Sequence, residues 1–361
     1  MKNTLGTIRC QIVQNEILLD KPFKYFLDEL KSLPYSKVVL TDNEGFVGEG
    51  EAAHAIDING ELQAQASSYA PYIENALSKM TGPIDSIATI HRAMKMVRLY
   101  VAHNTGLLCG VEQALFGILS KRTGKNLTEL LGGAKHSSIA IQITLPYQAD
   151  FEGYKESFEG MLSKHAPEYV KFKIGKNLPL ELEAIRYLKK LRLGISISVD
   201  ANQAFSDPEE AVQFAESLKA SRVSWAEQLL HKDDISGLRM LKMRTGLPLM
   251  VDEGLHTPLE AEYFAKERLA DSFNIKLAKT GGILKAIEII NIAKHFNLPV
   301  MLGSMLHGKL GMEYNLGFAL SQDFITHDFF SYFSVEETKN LGYITDDLSV
   351  NSETLYGKMV S

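Results

Sequence analysis

The sequence has little cysteine, no excess of positive charge and no long apolar run. Only Cys10 and Cys109 occur among 361 residues, which excludes a disulfide-framed secreted scaffold and a CxxC metal site. The formal net charge is −6, which argues against a nucleic-acid partner. No apolar stretch of about 18 residues occurs, so no membrane association is expected. The segment Met1–Asp20 lacks the apolar core of a signal peptide, and we expect a cytoplasmic protein.

The composition otherwise matches that of a globular protein. Apolar residues make up 45% of the chain and charged residues 23%, values that exclude a disordered or low-complexity chain. The length allows two or three domains, or one α/β barrel with an additional domain.

The first third of the chain predicts a small α+β unit. Alternating apolar residues indicate three strands, Thr7–Gln14, Lys37–Thr41 and Phe46–Gly50. A turn signal at 42–45 separates the second strand from the third. Apolar residues at three- and four-residue spacing then predict three helices, Asn59–Lys79, Asp85–Val97 and Gly106–Lys121.

Short apolar strands alternate with amphipathic helices after residue 137. We predict strands at Ser138–Leu145, Val170–Lys173, Ile195–Asp200, Val223–Glu227, Leu247–Asp252, Ser272–Leu277 and Val300–Gly303. Between them we predict helices at Leu178–Leu193, Asp207–Lys219, Asp234–Met243, Pro258–Glu267 and Ile283–Phe296. Such alternation indicates a parallel sheet.

The spacing of polar residues at the strand ends distinguishes a barrel from an open sheet. They are Lys173, Asp200, Glu227, Asp252, Lys276, Ser304 and Asp328, and successive members lie 24 to 28 residues apart. Together with the strand at Ser138–Leu145, this period predicts a (β/α)8 barrel. A doubly wound sheet also alternates, but it rarely carries a polar residue at every strand end. We expect the barrel at 126–330, and a capping domain at 1–125 completed by 331–361.

Three consecutive strands end in a carboxylate, namely Asp200, Glu227 and Asp252. Adjacent strands lie about 4.8 Å apart, so these side chains can converge. Because three unpaired carboxylates would repel each other, a divalent cation is the expected partner. A set of oxygen ligands favours Mg²⁺ over Zn²⁺.

Two lysines end the second and sixth predicted strands, and these strands face each other across an eight-stranded ring. Lys173 and Lys276 can therefore act on opposite faces of one substrate. One would remove a proton α to a carboxylate, and the other would return it to the opposite face. We expect desolvation, Lys171 and the cation to lower the lysine pKa.

Each of these residues also has an ordinary interpretation. A single Asp at a strand end is more often a helix N-cap than a metal ligand, and Lys171 with Lys173 could form a solvated edge. Chance placement of two lysines and three carboxylates at successive strand ends is improbable, so the set carries the hypothesis. Gln142 and Thr144 share one face of the first barrel strand, which we expect to face the cavity.

The chain resembles the enolase superfamily, in the muconate-lactonising-enzyme subgroup. The matching motifs are Lys171-Phe172-Lys173, Val199–Gln203, Glu227-Gln228, Asp252-Glu253, Asn274–Leu277 and Met301–Gly311. The resemblance implies a capping domain over a modified barrel, with one Mg²⁺ per subunit. It also implies that Lys171 neutralises charge on the substrate carboxylate, and that Asn202 and Glu253 support the metal ligands.

Within the subgroup the chain most resembles the dipeptide epimerases, which invert the α-carbon of the C-terminal residue of a dipeptide such as L-Ala-L-Glu. Their last barrel strand carries an Asp-x-Asp that holds the amino group. Here Asp328 is present and Phe330 replaces the second Asp. Asp28 stands where Ala-Glu epimerases carry an Arg, and the nearby Lys24 could substitute for it.

His307 stands where the subgroup usually has Glu, either as a substrate contact or as an ordinary capped histidine. Ser304 is a further candidate substrate contact. The resemblance thus implies an enzyme, a Mg²⁺-dependent isomerase acting on a small dipeptide, and we expect a homo-oligomer. The alternatives are an o-succinylbenzoate synthase, an N-succinylamino acid racemase, a muconate cycloisomerase or a non-catalytic barrel. An amine-binding Asp328 would not suit a diacid substrate.

Overall fold

The structure, a computed structural model, describes residues 8–24, 29–56, 58, 60–191 and 194–360. Its N-terminal part is built on an antiparallel sheet of three strands, β1 (Arg9–Lys24), β2 (Glu29–Thr41) and β3 (Val47–Ala53). The turn between β2 and β3 forms as predicted, because the Asp42 carboxylate accepts hydrogen bonds from the backbone N–H groups of Glu44 at 3.0 Å and Phe46 at 2.9 Å. The first two strands are much longer than the sequence predicted.

Five α-helices follow this sheet along the chain. They are α1 (Gln63–Ala66), α2 (Ala70–Ser78), α3 (Ile87–Arg98), α4 (Thr105–Thr123) and the short α5 (Leu127–Leu130). Helix α4 lies directly against β3, and a Cβ atom on Gly48 would fall 1.8 Å from the carbonyl oxygen of Ala114. Glycine at this position therefore allows the helix and strand backbones to approach closely.

Eight parallel strands form the second part of the molecule. In chain order, after the separate strand β4 (Ser138–Ala140), they are β5 (Ile143–Leu145), β6 (Tyr169–Lys173), β7 (Ser196–Asp200), β8 (Ala226–Glu227), β9 (Leu249–Val251), β10 (Ser272–Lys276), β11 (Val300–Gly303) and β12 (His327–Asp328). Each strand pairs with the next, and a parallel bridge between Ile141 and His327 joins the first strand region to the last. The predicted barrel is confirmed.

Helices follow the barrel strands. They are α6 (Phe151–Lys164), α7 (Leu178–Leu191), α8 (Pro208–Leu218), α9 (Ile235–Thr245), α10 (Pro258–Lys266), α11 (Leu277–Thr280), α12 (Ile283–His295) and α13 (Lys309–Ser321). The side chains of Asp207, Asp234 and Thr257 cap three of them by accepting backbone hydrogen bonds. These caps explain why the predicted helix starts agree closely with the observed ones.

The first barrel strand is interrupted, which corrects the continuous strand predicted at Ser138–Leu145. Its first part, β4, leaves the barrel and pairs antiparallel with β13 (Ser349–Asn351) near the C-terminus. Only β5 joins the barrel, and the N–H of Gln142 donates to the carbonyl of His327 at 2.9 Å. The predicted strand Val223–Glu227 is likewise shorter, since only Ala226 and Glu227 pair with their neighbours.

The C-terminal segment adds three helices, α14 (Ser331–Ser334), α15 (Glu336–Lys339) and α16 (Ser352–Val360). The division into a capping domain and a barrel at the stated boundaries stays a prediction. Within the described ranges, every helix is too short or too polar to cross a membrane.

Candidate active site

The three predicted carboxylates lie together at the carboxyl ends of neighbouring strands. Asp200 and Glu227 end β7 and β8, and Asp252 directly follows β9. At most 1% of each residue is exposed. Because the strands are parallel and adjacent, their last residues meet at one end of the barrel.

Lysine side chains pair with all three carboxylates. Lys173 Nζ lies 2.7 Å from an oxygen of Asp200, and Lys276 Nζ lies 2.7 Å from Asp252 Oδ2. Lys171 Nζ lies 2.9 Å from Glu227 Oε2. The site is therefore an alternating cluster of buried positive and negative charges.

The two candidate bases approach one cavity from different sides. Lys173 ends β6 and Lys276 ends β10, the second and sixth strands in the eight-strand order. Both line the same cavity, which has a volume of about 570 Å³. Strands four places apart in an eight-strand ring are opposite, so the strand order puts these two lysines on opposite sides of the ring.

The chemistry of the carboxylates fits a divalent cation. Burial and the charge of Asp200 raise the pKa of Glu227 to about 8, which reflects repulsion between crowded carboxylates. All the candidate donors are oxygens, the ligands that Mg²⁺ prefers. Among the described residues, no three acidic, histidine or cysteine side chains are already arranged as a metal site, and each carboxylate here has a lysine partner.

The direction of one lysine pKa differs from the prediction. Burial lowers the pKa of Lys276, but the negative charges of Asp252, Glu253 and Glu227 outweigh it, and the net pKa is raised. Lys171 lowers the pKa as expected, although its effect is smaller. The carboxylates that are expected to bind the cation therefore also act on the lysine pKa.

Asp328 lies at the end of the last barrel strand and lines the cavity. Its Oδ1 accepts a hydrogen bond from the hydroxyl of Thr144 at 2.9 Å, and its Oδ2 lies 2.5 Å from Lys171 Nζ. Burial raises the pKa of Asp328, but the attraction of Lys171 outweighs it and holds the pKa below its usual value. The side chain is therefore an oriented anion at the edge of the cavity.

Asn202 and Glu253 lie among the lysines and carboxylates of the site. The amide of Asn202 donates to Glu253 Oε1 at 2.9 Å, and its Oδ1 lies 2.6 Å from Lys173 Nζ. Asn202 has a φ of 42°, a left-handed conformation that is uncommon outside glycine. The backbone therefore turns sharply after β7 and directs this amide back toward the lysine.

Three further residues belong to the site, and two of them occur in the matching motifs without a predicted role. Lys279 is fully buried and donates to the Asp252 carboxylate, and Asn274 donates to Glu227 Oε1 at 2.7 Å. The amide oxygen of Gln228 accepts from the backbone N–H of Asp252 at 3.0 Å. Asn274 could have been found, because it precedes Lys276 by two residues in a strand and must share its face.

The predicted substrate contacts do not all reach the cavity. Thr144 and Ser304 line it, whereas Gln142 and Lys171 are buried and are not part of its lining. Lys24 ends β1, but its side chain lies outside the described part of the chain, as does Asp28.

His307 contacts the N-terminal sheet in this structure. Its Nδ1 lies 2.9 Å from Glu51 Oε1, and the backbone N–H groups of Gly308 and Gly311 donate to the same carboxylate at 3.0 Å each. His307 is buried and is absent from the cavity lining. Of the two interpretations offered by the sequence, this geometry matches the capped histidine.

An eight-stranded parallel barrel with buried carboxylates and opposed lysines at its strand ends defines the chain as a barrel enzyme of the enolase type. The family model described as enolase C-terminal domain-like matches residues 153–351. The match covers more than half of the chain, and the chain belongs to this family.

Two curated relatives and one solved structure extend the comparison. The L-Ala-D/L-Glu epimerase of Bacillus subtilis is 30% identical, over 88% of this chain and 86% of the relative. The N-succinyl-L-Arg/Lys racemase of Bacillus cereus is 27% identical, over 91% and 86%. The dipeptide epimerase of Cytophaga hutchinsonii, complexed with Mg and D-Ala-L-Val, superposes with a TM-score of 0.82 at 23% identity, over 91% of this chain and 88% of that one. That likeness supports the fold.

Proposed function

We propose that the chain is a Mg²⁺-dependent dipeptide epimerase, which inverts the α-carbon of the C-terminal residue of its substrate. The observation that carries the proposal is a single cavity with Lys173 and Lys276 on opposite sides and the oriented anion Asp328 at its edge. The activity named for the Bacillus subtilis relative supports it.

The lysines would move the α-proton. With the substrate carbon between them, one amine removes the proton from one face, and the opposite ammonium delivers a proton to the other face. Each lysine would remove the α-proton from one configuration of the C-terminal residue, so the enzyme can convert either configuration into the other. The lysines return to their starting protonation states after one turnover in each direction.

Asp200, Glu227 and Asp252 would hold one Mg²⁺ per subunit. The bound ion would polarise the substrate carboxylate and stabilise the negative charge that develops as the α-proton leaves. Asn202 and Glu253 would hold Lys173 and the neighbouring carboxylates in position through the hydrogen bonds described above.

Asp328 would bind the ammonium group of the N-terminal residue. The Thr144 hydroxyl donates to one of its oxygens at 2.9 Å, and the Lys171 ammonium group pairs with the other. Lys171 would thereby position Asp328 and Glu227 and offset the negative charges of these two carboxylates. Ser304 lines the cavity beside Asp328. Lys24, whose side chain lies outside the described part of the chain, remains a predicted contact.

We propose a cytoplasmic location, supported by two cysteines, Cys10 and Cys109, that are free and buried, as is usual in reducing compartments. A homo-oligomeric state stays a prediction.

Chiral chromatography tests the function directly. The purified chain, loaded with Mg²⁺, is incubated with L-Ala-L-Met, with N-succinyl-L-Met and with the o-succinylbenzoate precursor in separate reactions. We expect L-Ala-D-Met to form, and we expect N-succinyl-L-Met and the o-succinylbenzoate precursor to remain unchanged. Turnover of either of them, with none of the dipeptide, would contradict the proposal.

A further inference from the structure

Apolar side chains from the N-terminal part of the chain form one wall of the cavity that Lys173 and Lys276 also line. We infer that the C-terminal residue of the substrate carries an apolar side chain, not an acidic one. This inference rests on the proposed function and specifies its substrate class. The wall, called the roof below, consists of Leu30, Leu33, Ala53, Ile56, Ile58 and Leu62.

The polar side chains beside the roof are already engaged in contacts within the protein. Glu61 accepts hydrogen bonds from two backbone N–H groups at the start of α4, at 2.6 and 3.2 Å. His54 lies 3.4 Å from the same carboxylate, and the amide of Gln63 donates to two backbone carbonyls at 2.6 Å each. The roof therefore offers mainly apolar contact to a ligand.

The charges around the cavity also disfavour an acidic side chain. Lys173 and Lys276 are the only lysines, and there is no arginine, among the described lining residues. Both lysines belong to the proposed proton transfer and already face carboxylates. The lining also contains the acidic residues Glu61, Glu253 and Asp328. Among the described lining residues, a substrate carboxylate would find no cation that is not already engaged, which strongly disfavours binding there.

Two apolar walls of the cavity could receive the side chain of the C-terminal residue. The reacting carbon must lie between the two lysines, and the ammonium group is assigned to Asp328. The apolar surfaces that remain are the roof and a second wall formed by Met305, Leu306 and Phe330. Both walls are apolar, so the side chain meets apolar atoms in either orientation.

Three dipeptides of similar side-chain length separate charge from size. The measurement is kcat/KM of the Mg²⁺-loaded enzyme for L-Ala-L-Met, L-Ala-L-Gln and L-Ala-L-Glu. We expect kcat/KM to fall in that order, with a difference of at least about 100-fold between Met and Glu. Gln has nearly the shape of Glu without its charge, so the step from Gln to Glu isolates the missing cation.

A variant with a new cation in the roof provides a second test. Ile56 lines the cavity and is 66% exposed, so Ile56→Arg can place a guanidinium at the rim without disturbing the core. We expect the ratio of kcat/KM for Glu over Met to rise at least about 5-fold. The matched control is Leu99→Arg, at a 72% exposed position outside the cavity, which should leave the ratio unchanged.

The outcomes separate the two proposals. The inference is supported if kcat/KM is higher for L-Ala-L-Met than for L-Ala-L-Glu, and if the Glu/Met ratio rises in Ile56→Arg but not in Leu99→Arg. Turnover of Glu equal to or faster than that of Met would overturn the inference and leave the epimerase function standing. Absence of turnover with all three dipeptides, and with L-Ala-L-Leu and L-Ala-L-Phe, would overturn the proposed function itself.

Discussion

Asp328 and Lys171 form an ion pair of 2.5 Å that joins the last strand of the barrel to the second. Lys171 also lies 2.9 Å from Glu227 Oε2. One buried ammonium group therefore positions both the proposed amine-binding carboxylate and a proposed metal ligand. The two ends of the substrate would thus be held by groups that share one cation.

Asp328→Asn should weaken the enzyme by removing the charge that meets the substrate ammonium. We expect kcat/KM for L-Ala-L-Met to fall about 30-fold to 3000-fold, as is common when one partner of a buried charge pair is removed. Steady-state kinetics by polarimetry measures the change. The control substrate is N-acetyl-L-Ala-L-Met, which has no ammonium group. A similar loss on both substrates would contradict the assigned role, because the loss should be confined to the free amine.

Removal of Mg²⁺ should abolish activity reversibly. Dialysis against EDTA should stop epimerisation, and added Mg²⁺ should restore it. By calorimetry, we expect Asp252→Asn to reduce Mg²⁺ affinity at least about 100-fold, since even changes next to metal ligands cost 10- to 100-fold. Asp323→Asn, at an exposed residue paired with Lys135, is the matched control. Equal affinity in the two variants would refute the assignment of Asp252.

Loss of Glu51 should destabilise the contact between the N-terminal sheet and the barrel. Glu51→Ala would leave His307 and two backbone N–H groups buried without their acceptor. We expect the free energy of unfolding to fall by about 3 kcal/mol in urea titrations. Glu49 lies two residues away, and its partly exposed side chain pairs with Lys37. Glu49→Ala should therefore lower the free energy of unfolding by less than about 1 kcal/mol. Equal losses of unfolding free energy in the two variants would contradict a stabilising role of the buried Glu51 contacts.

Glu112 should make stability depend on pH. Burial raises the pKa of this carboxyl from 4.5 to about 7, so the folded chain holds its proton more tightly than the unfolded chain. The stability that this provides is complete below about pH 4.5 and is lost as pH rises through 7. Glu112→Gln should therefore gain stability relative to the parent between pH 5 and 8, by up to about 3 kcal/mol. A pH-independent difference in urea unfolding would contradict this.

The sequence predicts the barrel well because its signals are local. Regular spacing of strand-end polar residues marks the strands, and capping residues such as Asp207 and Thr257 mark helix starts. The parallel order then places Lys173 and Lys276 opposite each other without further information. The carboxylates follow from the same spacing.

Long-range pairings could not be predicted in this way. Strand β4 leaves the barrel because a partner at Ser349–Asn351, some 200 residues later, pairs with it. Glu51 and His307 meet only because the N-terminal sheet packs on the barrel. Lys279 was overlooked because a lysine three residues after Lys276 usually faces solvent, whereas the short helix α11 directs it inward to Asp252.

The most direct test of the two-lysine account is deuterium exchange in D₂O with Mg²⁺, followed by mass spectrometry. The parent chain should incorporate one deuterium at the α-carbon of the C-terminal residue from either L-Ala-L-Met or L-Ala-D-Met. Lys173→Met and Lys276→Met should each lose inversion by at least about 100-fold while retaining Mg²⁺ binding by calorimetry. Each variant should retain exchange on only one of the two substrates, and opposite ones. Retained inversion in either variant, or loss of exchange on the same substrate in both, would contradict the account.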